Sequence, residues 1–424
     1  MLHSIEPNEH GPHGHEMADA VSTCVHCGFC LAACPTYKEL GQEVDSPRGR
    51  IVLMKEVLEG KMNVEDALPH VDACLGCLAC EPACPSGVPY RDLISPFRAQ
   101  VEAKRKRSLL SQVQRFLTQQ TLPYPKRFRL AARTGRLAKR FAGILPRSLR
   151  VMVDLLPDQL PKQESWKEFY PASEKTGEPA RAKVALLVGC AQSVLDPDIN
   201  TATIQVLNHC GVDVLVPPRQ GCCGALSWHV GNLKQAQKFA RQNLKAFPKD
   251  LDAIVTNAAG CGSGMDEYPL ILKGTSEEVL AKSFAEKVCD VTVFLEQLGE
   301  LPEVSGPGKA QVVAYHDACH LANAQGVKSQ PRQLLNKIPG LRIAEVADSH
   351  LCCGSAGTYN VDQPEVAKAL GKQKTSSLLA TNPDLIATGN IGCMTQLKNH
   401  LDSRHSKVPV LHTLQVLRNA YRLK

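Results

Sequence analysis

Cys24, Cys27, Cys30, Cys34 and Pro35 spell C-x2-C-x2-C-x3-C-P, and Cys74, Cys77, Cys80, Cys84 and Pro85 spell it again. This is the ligand run of bacterial-type proteins that carry two [4Fe–4S] clusters. A cubane needs four thiolates at its corners. Three Cys at every third position wrap one face of it from a single short stretch of backbone, and the Cys before Pro crosses over to the other cluster. On that rule Cys24, Cys27, Cys30 and Cys84 hold one cluster, and Cys74, Cys77, Cys80 and Cys34 hold the other. A zinc site would use longer gaps between ligand pairs, and a disulfide framework belongs in a short secreted chain. The chemistry expected is one-electron transfer.

Eight further cysteines fall at the ends of strand-like runs in a repeat. In the first copy, residues 183–188 lead to Cys190, residues 212–216 to Cys222, Cys223 and Gly224, and residues 251–256 to Cys261. In the second, residues 311–315 lead to Cys319, residues 341–346 to Cys352, Cys353 and Gly354, and residues 385–388 to Cys393. Equivalent cysteines are offset by 129, 130 and 132 residues, so the repeat is nearly gap-free. Strand, Cys-bearing loop and helix, three times over, is a parallel α/β pattern, whose ligands gather at the carboxyl ends of the strands. Two pseudo-equivalent halves are expected, 183–305 and 306–424, each drawing its four thiols to one site. Four thiolates can bind zinc, iron or a cluster; the other reading is reduced, buried Cys filling loops at the sheet edge. His316, Asp317, His320 and His350 crowd the second copy and can serve as extra ligands or a proton relay. Cys210 and Cys289 lie outside any motif, in or near the ends of helical stretches, and read as core residues.

The elements that must position the first eight cysteines read as helices. Ser46 followed by Pro47 has the form of an N-cap with Pro at the first helical position. Ile51, Met54, Val57 and Leu58 then recur at helical spacing, Gly60 ends that helix, and 64–71 forms another. Residues 18–97 are thus expected to be an α-helical ferredoxin-type domain. Residues 1–17, polar with scattered histidines, are expected to be a disordered leader. From 98 to 150 the chain holds fifteen Lys or Arg against one acid, Glu102, while the whole chain is only +7. Leu110, Val113, Phe116 and Leu117, then Leu130, Leu137, Phe141 and Leu145, are interleaved with these cations, so 98–182 reads as basic amphipathic helices followed by linker.

Composition narrows the class. With 424 residues, 43 % of them hydrophobic, the chain can bury several ordinary cores. Eighteen Cys, mostly clustered, point to metal ligation in a reducing compartment, hence a cytoplasmic protein. No apolar run approaches the roughly 20 residues of a membrane span, so the protein is expected to be soluble or peripheral. Gly260, Gly262 and Gly264 follow a strand but lack the G-x-G-x-x-G spacing, and no flavin, nicotinamide or P-loop site is recognisable. Clusters pass single electrons, whereas two-electron oxidation of a substrate needs a cofactor such as flavin, which places FAD on another chain.

The repeat resembles the cysteine-rich CCG domain of heterodisulfide reductases and of iron–sulfur subunits of flavin-dependent oxidoreductases. That family's closing C-x2-C is depleted here, since Ala258 and Asn390 occupy its first position while Cys261 and Cys393 keep the second. The full order is the double cluster motif, the stretch Ser46-Pro47-Arg48-Gly49-Arg50, the basic connector and two CCG repeats. In this it resembles the iron–sulfur subunits of glycolate oxidase (glycolate dehydrogenase). Iron–sulfur subunits of lactate-utilisation complexes and of anaerobic glycerol-3-phosphate dehydrogenase share the architecture more loosely. The resemblance implies FAD-bearing partner subunits that oxidise glycolate to glyoxylate, and D-lactate as a further substrate. It implies a quinone or other membrane acceptor. The basic stretch 98–150 reads either as a connector that packs on this chain or a partner, or as a docking surface for the anionic inner face of the cytoplasmic membrane; no nucleic-acid partner is expected. A metal-stabilised scaffold whose clusters only hold the fold is the non-enzymatic alternative.

Overall fold

The computed structural model describes residues 1–139, 143, 147–154, 156–157, 159–172, 178–306 and 308–423. Six helices build the N-terminal module: α1 (Gly14–Thr23), α2 (Phe29–Ala33), α3 (Pro35–Leu40), α4 (Pro47–Leu58), α5 (Val64–Asp72) and α6 (Arg91–Glu102). α4 starts where the sequence directs it. The Ser46 hydroxyl accepts the Gly49 amide at 3.0 Å, and Pro47 supplies a first-turn residue whose missing N–H costs nothing there. Ile51, Met54 and Leu58 face inward, and Gly60 takes a left-handed turn just past the helix. Gly49 is needed for closeness, because a Cβ on it would lie 2.1 Å from the Glu43 carbonyl oxygen.

The expected disordered leader is instead structured. A 3-10 turn (Pro7–His13) runs into α1, and Ile5 and Met17 join the core of the N-terminal module. The Met1 ammonium donates to the carbonyls of Val21 and Cys24 at 3.3 and 2.6 Å. His13 is buried, its Nε2 lies 2.7 Å from the Leu270 carbonyl, and its ring sits 5.8 Å from that of Trp228. A polar, histidine-rich composition hides such docking, because the partner surface lies some 250 residues further along the chain.

The connector forms α7 (Leu109–Thr121), α8 (Pro125–Ala138) and α9 (Arg147–Asp154). α8 buries Phe128 and Ala132 against Val194. α7 has inverted polarity: Ser111, Gln114, Arg115 and Thr118 turn inward, while Leu109, Leu110, Val113, Phe116 and Leu117 are exposed. Leu130 and Leu137 of α8 are also exposed; Phe141 and Leu145 lie outside the described residues.

Two parallel sheets follow. The strands are β1 (Phe169–Tyr170), β2 (Ala182–Leu187), β3 (Val212–Leu215), β4 (Ala253–Thr256), β5 (Val288–Asp290), β6 (Gln311–Tyr315), β7 (Leu341–Ala344), β8 (Leu385–Thr388) and β9 (Val410–His412). The first sheet has the order β1-β3-β2-β4-β5, with only β1 antiparallel, and the second has the order β7-β6-β8-β9. The duplication holds at the level of register, since Val184 pairs with Ala253 in one sheet and Val313 with Leu385 in the other. Both sheets contribute to one hydrophobic core, in which Val184, Leu186 and Val255 join Val313, Tyr315 and Ala387. Cys210 sits just past the helix Asp198–His209 and is buried. Cys289, expected near a helix end, lies on the edge strand β5; a three-residue strand between two helices leaves no periodicity to read.

Candidate metal centres

The two C-P-terminated runs fold as turns with short helices between them, and this brings their cysteines into two adjoining groups. Cys24, Cys27, Cys30 and Cys84 line one small cavity, with Arg48 and Tyr90 beside them. Cys34, Cys74, Cys77 and Cys80 line a second, with Thr36, Arg50 and Tyr90, and Cys80 borders both. The Cys before each Pro therefore lies with the other motif's triplet, and the donor set of each cavity, four thiols around a small void, suits a [4Fe–4S] cube.

The groups differ in surroundings. The first lies at the surface: Cys27 is exposed, and so are its neighbours Val25 (65 %) and Phe29 (68 %). Burial, with Cys24 and Cys84 alongside, pushes the Cys30 thiol up to about 11. The second group is enclosed and rich in donors. Arg50 is 1 % exposed; it donates to the His70 carbonyl at 2.6 Å and to the Thr36 hydroxyl at 2.9 Å, and its Nη1 reaches Cys34 Sγ at 3.9 Å. The Gly76 amide and the Tyr90 hydroxyl donate to Cys74 Sγ at 3.4 and 3.7 Å. Burial works against a thiolate at Cys74, but Arg50 and Arg98 outweigh it and hold the group below the ordinary thiol value. Arg50 belongs to the Ser-Pro-Arg-Gly-Arg stretch that sequence reasoning singled out, yet its role as donor was missed. Tyr90 carries no sequence signal.

The CCG cysteines also gather half by half, at the carboxyl ends of the strands. In both halves the glycine after the Cys pair takes a left-handed conformation and directs its amide at the first sulfur: Gly224 to Cys222 at 3.5 Å and Gly354 to Cys352 at 3.4 Å. A Cβ on Gly354 would fall 2.4 Å from the Ala367 carbonyl oxygen, which excludes other residues there. Cys190 and Cys222 sulfurs lie 3.4 Å apart, and Cys223 touches both Cys222 and Cys261. This group opens into a cavity of about 520 Å³, which is also lined by Cys74, Arg98, His229 and His320. In the second half Cys319, Cys352, Cys353 and Cys393 form the same chain of sulfur contacts, but Cys352, Cys353 and Cys393 are buried.

The histidines of the second copy part ways. His316 is buried against Cys353 and Cys393. His320 turns to the cavity, stacks on His229 at 5.2 Å and meets the Gly76 carbonyl at 3.1 Å. His350 is exposed, and Asp317 is held by Arg332 at 2.6 and 2.7 Å. Both of these side chains have other surroundings than the cysteines.

A fold with a helical module bearing two four-cysteine cavities, joined to a duplicated cysteine-rich α/β unit, defines a dicluster iron–sulfur protein of the CCG class. Comparison with known families agrees: the 4Fe-4S dicluster domain matches residues 20–88, and the cysteine-rich domain matches 184–266 and 313–398. The chain belongs to the family of glycolate oxidase iron–sulfur subunits. It is 38 % identical to the "Probable glycolate oxidase iron-sulfur subunit" of Bacillus subtilis, covering 94 % of this chain and 93 % of that one. It is 37 % identical to the glycolate oxidase iron–sulfur subunit of Escherichia coli, covering 95 % of each. Lactate utilization protein A of Oceanobacillus iheyensis is 30 % identical over 55 % of this chain and 96 % of its own length.

Proposed function

We propose that this chain carries electrons from FAD-bearing partner subunits, which oxidise glycolate to glyoxylate, toward a quinone or another membrane acceptor. The observation that carries this reading is the pair of adjoining four-cysteine cavities, one at the surface behind an apolar rim and one buried. Cys24, Cys27, Cys30 and Cys84 would hold one [4Fe–4S] cluster, and Cys34, Cys74, Cys77 and Cys80 the other. Bound there, such clusters supply one-electron redox chemistry at potentials set by hydrogen bonds, charge and burial. The chain's own residues grade the two sites. Arg50, Tyr90 and the Gly76 amide favour added negative charge at the buried set, while Val25 and Phe29 offer the exposed set an apolar docking rim for a partner. On this reading electrons enter at the surface set and pass inward to the buried one.

Along residues 104–133 the exposed leucines and Phe116 of α7 and α8 are interleaved with the exposed cations Lys104, Lys106, Lys126, Arg127 and Arg133, and that stretch contains no acid. That is the make-up of an interfacial helix pair that lies on an anionic bilayer, and no helix among the described residues is long and apolar enough to cross one.

The test is the complex reconstituted with its flavin subunits. Glycolate should bleach the cluster absorbance reversibly, more efficiently than either lactate enantiomer or glycerol-3-phosphate. Active flavin subunits with no bleaching would reduce this chain to a scaffold, and preference for lactate would move it to the lactate-utilisation branch.

A further inference from the structure

His316 presents a problem that the fold leaves unsolved. It is 0 % exposed, and neither ring nitrogen has a hydrogen-bond partner among the described residues. A buried imidazole left in that state forfeits its hydration with nothing in return. Its free nitrogen lies with the sulfurs of Cys353 and Cys393, all three atoms within 4.8 Å of one another. Cys352 touches Cys353 in turn.

We propose that the second CCG half binds a single zinc-type divalent ion through His316, Cys353 and Cys393, with Cys352, which touches Cys353, turning in as the fourth ligand. A tetrahedral ion at ordinary Zn–N and Zn–S distances of about 2.0–2.3 Å separates its ligand atoms by about 3.3–3.8 Å. His316, Cys353 and Cys393 reach that by contraction from their present grouping within 4.8 Å, whereas Cys352 stands outside the trio and must rotate its side chain to join it. One nitrogen and three sulfurs form a donor set that suits Zn²⁺, and the ion would give His316 the partner it lacks.

The surroundings are built for such an ion. The Asn390 side-chain amide donates to Cys393 Sγ at 3.4 Å, and the Gly354 amide donates to Cys352 Sγ at 3.4 Å, so two of the sulfurs are held by outer-shell donors. Lys374 is 1 % exposed; its ammonium donates to the carbonyls of Asp348 and Ser349 at 3.1 and 2.8 Å, and no carboxylate pairs with it among the described residues. Asp317 acts on it from a distance but is itself held by Arg332, so the buried ammonium has no directly paired anion, which is costly. Zn²⁺ with three thiolates carries a net charge of −1, which Lys374 balances.

The first half keeps the glycine donor, Gly224 to Cys222 at 3.5 Å, but lacks the other parts. The 129-residue offset of the paired strands sets Leu187 where His316 stands, and Leu187 is buried in core. Ala258 stands in place of Asn390. Gly224 and Gly354 face Ala236 and Ala367, and the same 131-residue separation sets Asn243 in place of Lys374. Asn243 there makes neutral hydrogen bonds to the Gly221 amide and the Cys222 carbonyl at 2.8 and 3.0 Å. The second half has the imidazole, the side-chain amide donor and the buried cation, whereas the first half, whose cysteines line the cavity, keeps only the glycine amide donor.

Metal analysis of the full-length, cluster-loaded chain tests this. The expected result is one zinc per chain in addition to the cluster iron. The His316→Ala variant should lose that zinc with its iron–sulfur absorbance unchanged, and Cys222→Ala should keep it. Because His316→Ala can fail to fold, wild-type protein grown with cobalt gives a second readout, the visible bands of tetrahedral Co²⁺ with thiolate-to-cobalt charge transfer. Absence of both zinc and those bands, zinc retained in folded His316→Ala, or four extra irons in place of zinc would each overturn the proposal. Glycolate-driven bleaching of the N-terminal clusters is read separately, so failure of the electron-transfer reading would show independently.

Discussion

The Tyr90 hydroxyl donates a hydrogen bond to Cys74 Sγ at 3.7 Å, across the wall shared by the two four-cysteine cavities. Such a donor favours the more negative, reduced state of whatever that sulfur ligates. Tyr90→Phe should therefore lower the potential of the cluster at the buried set by about 20–60 mV. This takes a hydrogen bond as worth about 0.5–1.5 kcal/mol and a tenfold change as about 59 mV for one electron. Potentiometric titration followed by EPR on both variants measures it; an unchanged potential would remove Tyr90 from the electrostatics of the site.

Crossed ligation makes a sharp spectroscopic prediction. Cys84 shares its cavity with Cys24, Cys27 and Cys30, so Cys84→Ser and Cys24→Ser should damage the same cluster. Cys34→Ser should spare that one and damage the other. Loss of different clusters in the first two variants would refute the pairing.

Phe29 stands 68 % exposed beside the most accessible cysteine of the surface set. Phe29→Asp should leave both clusters in place but weaken capture of the flavin subunits by tenfold or more, as loss of a central aromatic contact does. Size-exclusion chromatography of the mixed subunits is sufficient. Undiminished assembly would place the docking surface elsewhere.

The apolar face of α7 and α8 should drive flotation of the chain with vesicles that contain anionic lipid. Each cation near the surface is worth about 1 kcal/mol, so salt should release the protein. Phe116→Gln combined with Leu110→Gln should reduce binding even at low salt. Equal binding to neutral and anionic vesicles, or none to either, would argue against a bilayer as the occupant.

Burial raises the Asp266 carboxyl to about 7; Arg91 opposes the shift, and the neighbouring Glu267 adds to it. Its folded value therefore lies above that of the unfolded chain, near 3.9. The folded state binds the extra proton between those values, so stability falls as pH rises through that window and levels off above about 7. Asp266→Asn should remove this component. Its thermal midpoint should gain on the wild type between pH 5.5 and 7, with no further gain above. A constant difference would contradict the shift.

Spacing alone made much of this molecule legible. The offsets between Cys190 and Cys319, and between Cys222 and Cys352, anticipated the duplicated parallel sheets, and Ser46–Pro47 anticipated the start of α4. Local composition was silent where a distant surface decides. His13 is buried only because the Leu270 carbonyl and Trp228 await it, and His320 turns away from its neighbour Cys319 to stack on His229. Arg50 and Lys374 look like ordinary surface cations in the sequence. Only the fold shows that each is sealed inside, Arg50 near Cys34 and Lys374 against the Asp348 and Ser349 carbonyls.

The two sheets share one apolar interior, and the final helix, Thr413–Ala420, packs on the first half: Leu414 and Leu417 lie in the same cluster as Ile204 and Leu207, and Arg418 grips Asp198 at 2.9 Å. A repeat whose copies interlock in this way has given up modularity. Cutting out either copy would bare this common interior to water, so each copy alone should be less stable than the pair. The loops of one copy can therefore change their chemistry while the common interior holds the architecture of both.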